Sequence, residues 1–193
     1  MRICVFASSS DRLEKPYLEA AAALGRLLGE GGHTMVFGGG QSGLMGACAR
    51  AAREAGAEVV GVAPRFFNEP GVLYEGCSRL LITETMNERK TAMEDLAEGF
   101  VILPGGIGTM EEFFEVLTQR QIGLHGKPMA LLNTGGYYGP LAALLRSMAE
   151  TGFAGREVPA IAPLCDTPEE ALRRLTGAVP LAAKKASKDN YFK

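Results

Sequence analysis

A doubly wound α/β fold, with one parallel sheet between two layers of helices, is what three features of this chain predict. Short runs of almost continuous apolar residues alternate with longer amphipathic stretches from end to end. That alternation is the pattern of strands buried on both faces and of the helices that cover them. Turn residues punctuate it: Pro16 stands near the start of the first amphipathic stretch, and Gly31 and Gly32 stand at its end. The length of 193 residues suits one domain with a filled core and is short for two.

Taken in order, RICVFA (2–7) reads as a buried strand and PYLEAAAALGRLLGEGG (16–32) as a helix. HTMVFG (33–38) is a strand, GLMGACARAAREAG (43–56) a helix, EVVGVAP (58–64) a strand and SRLLIT (78–83) a strand. NERKTAMEDLAEG (87–99) is a helix, and FVILP (100–104) and PMALLN (128–133) are strands on either side of the helix TMEEFFEVLTQRQIG (109–123). The chain continues with the helix GPLAALLRSMAETG (139–152), a short strand VPAIAPL (158–164) and a helix opened by DTPEEALRRL (166–175). In that last helix Asp166 or Thr167 can cap, and Pro168 suits the first turn. Residues 1–180 are expected to form the domain, and residues 181–193 a basic, polar surface extension.

Composition excludes several classes of function. Charges nearly balance at a net −2, so nucleic acid is not bound by bulk charge. No apolar run reaches the about 20 residues needed to span a bilayer, so no membrane partner is expected. Cys4, Cys48, Cys77 and Cys165 are far apart and without CxxC spacing, which fits a reducing cytoplasm. His33 and His125 are the only histidines and stand in no cluster of ligands, so no metal is expected.

In a doubly wound sheet, ligands bind beyond the carboxyl ends of the strands. Four loops leave such ends with chemistry in them. ASSSDR offers Ser8, Ser9 and Ser10 to a phosphate, although a serine or Asp11 could equally cap the next helix. FGGGQSGLMG satisfies GxGxxG with Gly38, Gly40 and Gly43, but a dinucleotide site also wants an acid at the end of the next strand. That strand ends in VAPRF, where only Arg65 could meet a 2′-phosphate. TETMNERKTAM places Arg89 and Lys90 in the first turns of a helix, where the macrodipole disfavours basic residues. LPGGIGTMEE sets Gly105, Gly106 and Gly108 before a helix, so bare backbone N–H groups can approach an anion. It is not a Walker A loop, since no Gly-Lys-Ser/Thr follows. Met110, Phe113, Phe114 and Leu117 read as the buried stripe of that helix, leaving Glu111, Glu112 and Glu115 off it. Periodicity does not choose among the three acids, which could simply offset the helix N-terminus.

These motifs resemble one family. PGGIGTMEE matches the signature PGGxGTxxE, and MNERKTAM is similar to the element MHxRKxxM, of the Lonely Guy (LOG) family of cytokinin riboside 5′-monophosphate phosphoribohydrolases. GGGQSGLMGA and GYYGPLAALL extend the resemblance over most of the chain in the same order, with Asn87 in place of the usual His. The resemblance implies a Rossmann-like homodimer that hydrolyses the N-glycosidic bond of a nucleoside 5′-monophosphate, AMP or an N6-modified relative, without a cofactor. The family's essential arginine falls on Arg89 and its essential glutamate on Glu112. Gly105, Gly106, Gly108 and Thr109 would hold phosphate and ribose, and Thr118 would approach the base. Ser8, Gly39, Gly40, Lys90 and Glu111 complete the substrate-binding set. Members are often labelled lysine decarboxylases, but no pyridoxal-phosphate architecture is visible here. The competing expectation is a non-catalytic nucleotide or molybdenum-cofactor carrier on the same core, which would need the phosphate cradle but not a carboxylate aimed at the sugar.

Overall fold

A computed structural model describes residues 1–177, and the extension expected at 181–193 lies outside them. The strands are β1 (Arg2–Phe6), β2 (Thr34–Phe37), β3 (Glu58–Pro64), β4 (Arg79–Thr83), β5 (Gly99–Ile102), β6 (Met129–Leu132) and β7 (Leu164–Cys165). They form one sheet in the order β4-β3-β2-β1-β5-β6-β7, parallel at every pairing. The helices are α1 (Lys15–Glu30), α2 (Gly43–Glu54), α3 (Met86–Leu96), α4 (Ile107–Gln121), α5 (Gly139–Thr151), α6 (Val158–Ile161) and α7 (Pro168–Thr176).

Strand side chains alternate between faces, and the core divides accordingly. From β1, Ile3 and Val5 pack with Leu24 and Leu28 of α1, Leu44 and Cys48 of α2, and Leu175 of α7. Cys4 and Phe6 face the other way, toward Met93 of α3, Phe113 and Val116 of α4, and Leu145 of α5. This is the expected three-layer arrangement. From β1 the chain winds outward through β2, β3 and β4, then returns to lay β5 on the free side of β1, with Phe6 beside Ile102. β1 thus leads to α1 on one face and β5 to α4 on the other, which leaves a crevice at the carboxyl ends of the central strands.

One element differs from expectation. VPAIAPL is not a strand: Val158–Ile161 forms the short helix α6, and only Leu164–Cys165 joins the sheet, beside Leu131 and Leu132. Pro159 is the reason, because it fits the first turn of a helix but cannot donate to a strand ladder, and short apolar runs do not separate the two states by periodicity. A 3₁₀ turn, Arg65–Phe67, follows β3.

Candidate active site

The four loops converge on one cleft of about 600 Å³. After β1, the N–H of Ser8 donates to the Pro104 carbonyl of the β5 loop at 3.2 Å, which ties the two central loops together. Asp11 caps no helix of its own. Its carboxylate accepts from the N–H of Gly43 at 2.9 Å and so fastens the start of α2 under the serine loop. Gly43 has φ +60°, and a Cβ there would stand within 2.7 Å of the Ser8 and Ser10 carbonyl oxygens, so only glycine fits. At the start of α4 the capping residue is Gly106, which has no side chain to accept from the first turn. Those N–H groups, at the positive end of the helix dipole, are left for a ligand. The Tyr137 hydroxyl donates to the Gly105 carbonyl at 2.7 Å. Carbonyl and following N–H point opposite ways across a trans peptide, so this bond orients the N–H of Gly106.

Arg89 and Glu112 meet on the floor of the cleft. α3 begins with Thr85, whose hydroxyl accepts from the Glu88 N–H at 3.1 Å, and the Glu88 carboxylate accepts from the Glu84 N–H at 2.9 Å. These two bonds hold the first turn, from which Arg89 points inward and is buried. Its Nε donates to the Val62 carbonyl at 3.2 Å and its Nη1 to Glu112 Oε1 at 2.8 Å. The side chains of Arg89 and Glu112 are only 7% and 10% exposed. Burial pushes the Glu112 carboxyl above the usual carboxylate range, and the Arg89 guanidinium pulls it back. The expected buried stripe of α4 is corrected accordingly. Thr109, Glu112, Phe113, Val116 and Leu117 are buried, while Met110 and Phe114 are only partly so. Glu112 lies on the inner face because Arg89 is there to neutralise it, a partner that apolar periodicity does not register.

Of the residues expected at the site, Ser8, Gly40, Arg89, Gly106, Gly108, Thr109, Glu111 and Glu112 line the cleft. Gly39, Lys90, Gly105 and Thr118 do not. Gly39 packs behind the loop against Ala63 and Leu73, and Gly105 lies against Thr109. Lys90 turns away to Glu111 and to Glu115, the latter at 2.7 Å, and braces α3 against α4. Thr118 is exposed, about three turns along α4 from the glycines. Arg65 is not free for a 2′-phosphate, since its guanidinium pairs with Glu84. The sequence reading missed an apolar wall of Met45, Phe67, Val72, Leu73 and Met86. Its signal was the cluster of large apolar residues in RFFNEPGVL, a segment too irregular for either periodicity.

Among the described residues, no group of three or more His, Cys, Asp or Glu is placed to hold a metal ion, and no helix is long and apolar enough to cross a membrane.

Comparison with known proteins sets this geometry in context. Residues 45–175 match a family described as "Possible lysine decarboxylase". The chain is 37% identical over 179 residues to the cytokinin riboside 5′-monophosphate phosphoribohydrolase LOG of Oryza sativa subsp. japonica, covering 93% of this chain and 74% of that protein. It is 40% identical over 152 residues to the cytokinin riboside 5′-monophosphate phosphoribohydrolase of Rhodococcoides fascians, covering 78% of this chain and 77% of that protein. In fold it is similar to the molybdenum cofactor carrier protein of Chlamydomonas reinhardtii, with a TM-score of 0.69, 19% identity, and coverage of 91% and 96%.

Proposed function

Because the chain belongs to the LOG family of cytokinin riboside 5′-monophosphate phosphoribohydrolases, we propose that it hydrolyses the N-glycosidic bond of adenosine 5′-monophosphates, AMP or its N6-modified forms, with Arg89 and Glu112 as the catalytic pair. The observation that carries this reading is a buried arginine–glutamate pair on the floor of a cleft whose rim is a helix N-terminus without a capping side chain. The two ends of the site suit opposite charges. N–H groups at the start of α4, with Ser8, hold the 5′-phosphate. Glu112 lies about 7 Å further along the same helix, within the span of a ribose phosphate.

Breaking the bond between the anomeric carbon and the base nitrogen develops positive charge on the sugar, as in glycoside hydrolysis. The Glu112 carboxylate stabilises that charge and orients the attacking water. Water's hydroxyl goes to the anomeric carbon and its proton ends on the base, giving free base and ribose 5-phosphate. Arg89 holds Glu112 in place and balances its charge. The apolar wall of Met45, Phe67, Val72, Leu73 and Met86 suits the face of a purine. We also place the protein in the cytoplasm, which four free cysteines support.

Incubation with AMP and with adenosine, followed by chromatography for adenine, tests the reading. Adenine is expected from AMP and little from adenosine, because binding energy at the remote phosphate orients the reacting bond. Glu112→Gln should lower single-turnover hydrolysis by roughly two to four orders of magnitude with little change in AMP affinity. Glu115→Gln, which removes a like charge on the same helix, should stay near wild type. Equal activity in the two variants would show the carboxylate to be wrongly assigned. Release of no base from any nucleotide would favour a carrier.

A further inference from the structure

We propose that Gly38 is a positioning residue for this reaction, and that the side chain it lacks is the space in which the Arg89 guanidinium lies when it pairs with Glu112. The inference rests on the reading that Arg89 and Glu112 carry the chemistry. Gly38 is the first residue beyond β2 and lines the cleft. A Cβ built on it would stand 1.9 Å from Nη2 of Arg89 and 3.1 Å from Cζ, against about 3.5 Å for ordinary contact between heavy atoms.

The three atoms nearest that Cβ all belong to Arg89. Gly38 is also absent from the glycines with positive φ, so its backbone would accept an L residue. The need for glycine here therefore comes from one guanidinium and not from the fold. Its neighbours differ: Gly39 has φ +77°, and a Cβ on Gly40 would approach only the Met45 thioether, at 3.2 Å for the sulfur. Arg89 has little room to yield in place, because Nε is held by the Val62 carbonyl and Nη1 by Glu112. A methyl group at position 38 is accommodated by withdrawing the guanidinium, which breaks the contact with Glu112. Glu112 then keeps its burial and the repulsion of Glu111 but loses its principal cation, with only the weaker pull of Lys90 left.

The test uses Gly38→Ala, Arg89→Lys and the double variant, with kcat/KM for adenine release from AMP, its pH profile, and thermal melts. Gly38→Ala should lose about 10²-fold in kcat/KM, the order expected when a reacting group is misplaced by about 1 Å. It should still fold, with its melt lowered by about as much as in Arg89→Lys or more, since the displaced atoms are the end of a flexible side chain but Glu112 is left without its cation. The acid limb of its pH profile should move to higher pH as Glu112 loses Arg89. In the Arg89→Lys background, the same change should cost less than about twofold, because lysine has no Nη2 to displace. A Gly38→Ala enzyme within twofold of wild type would overturn the inference, as would an equal loss in both backgrounds. Failure of both Gly38→Ala and the double variant to fold would overturn it too, by making glycine a requirement of the fold. If instead wild type releases no base from any nucleotide, it is the functional reading that falls, and this inference with it.

Discussion

Glu112 is held by two opposed effects, and their balance is measurable. Burial raises its carboxyl above the ordinary value of 4.5 and Arg89 lowers it, with burial the larger. If the carboxylate is the working form, activity should fall with decreasing pH at a value above 4.5, and no such limb should remain in Glu112→Gln. Stability should run the other way. A group whose folded pKa is raised contributes stability below its unfolded pKa and loses it as pH rises through the folded one. Melts of wild type relative to Glu112→Gln should therefore decline between about pH 4.5 and the kinetic limb. Coincident decline of activity and relative stability on the acid side would refute this. That Glu112 is one of three candidate acids was legible in the sequence. Its burial was not, because that depends on a guanidinium brought from 23 residues away.

At the scale of elements, α4 illustrates how a helix can be found and its inner face still misassigned. Glycines, threonine and apolar spacing place the helix, but the presence of Glu112 on its buried side depends on α3, through Arg89, while Lys90 holds the outer acids Glu111 and Glu115. The α1 and α2 pair makes a similar point about glycine. Gly25 sits in the middle of α1, where propensity alone would have alanine gain about 1 kcal/mol. A Cβ at that position would stand 2.2 Å from the Cys48 carbonyl oxygen and 2.9 Å from the Ala52 nitrogen, both backbone atoms of α2 that cannot turn aside. Overpacking of this kind costs roughly 1–3 kcal/mol or more and outweighs the propensity gain. Gly25→Ala should thus lower the denaturation midpoint without changing the site, and a rise in the midpoint would show that the helices separate freely.

On the scale of the molecule, the cleft follows from the order in which strands are laid down. Placing β5 beside β1 after β4 sends the two central connections to helices on opposite faces, and everything assigned to the substrate hangs on those loops or their neighbours. Phe67, Val72 and Met86 of the cleft lining are exposed, as are their sequence neighbour Phe66, at 56%, and Ile107 at the start of α4, at 88%. Exposed large apolar side chains at a site favour association. We therefore expect the homodimer that the family resemblance implies. Sedimentation at micromolar concentration should give a dimer, and a monomer alone would contradict it.

The sequence by itself determined the layers, the parallel sheet and the loops that line the cleft. Those features are written in local signals: apolar runs, turn residues, and glycines set before helices. Its motifs also marked Arg89 and Glu112, which the fold brings together in the cleft. Only the tertiary structure decided that Lys90 braces two helices instead of facing the cleft, that Asp11 fastens α2, and that Gly38 makes room for Arg89. Each of these depends on an atom contributed by a different part of the chain, and the distance between two such atoms is set by how elements pack, which neither spacing nor composition encodes.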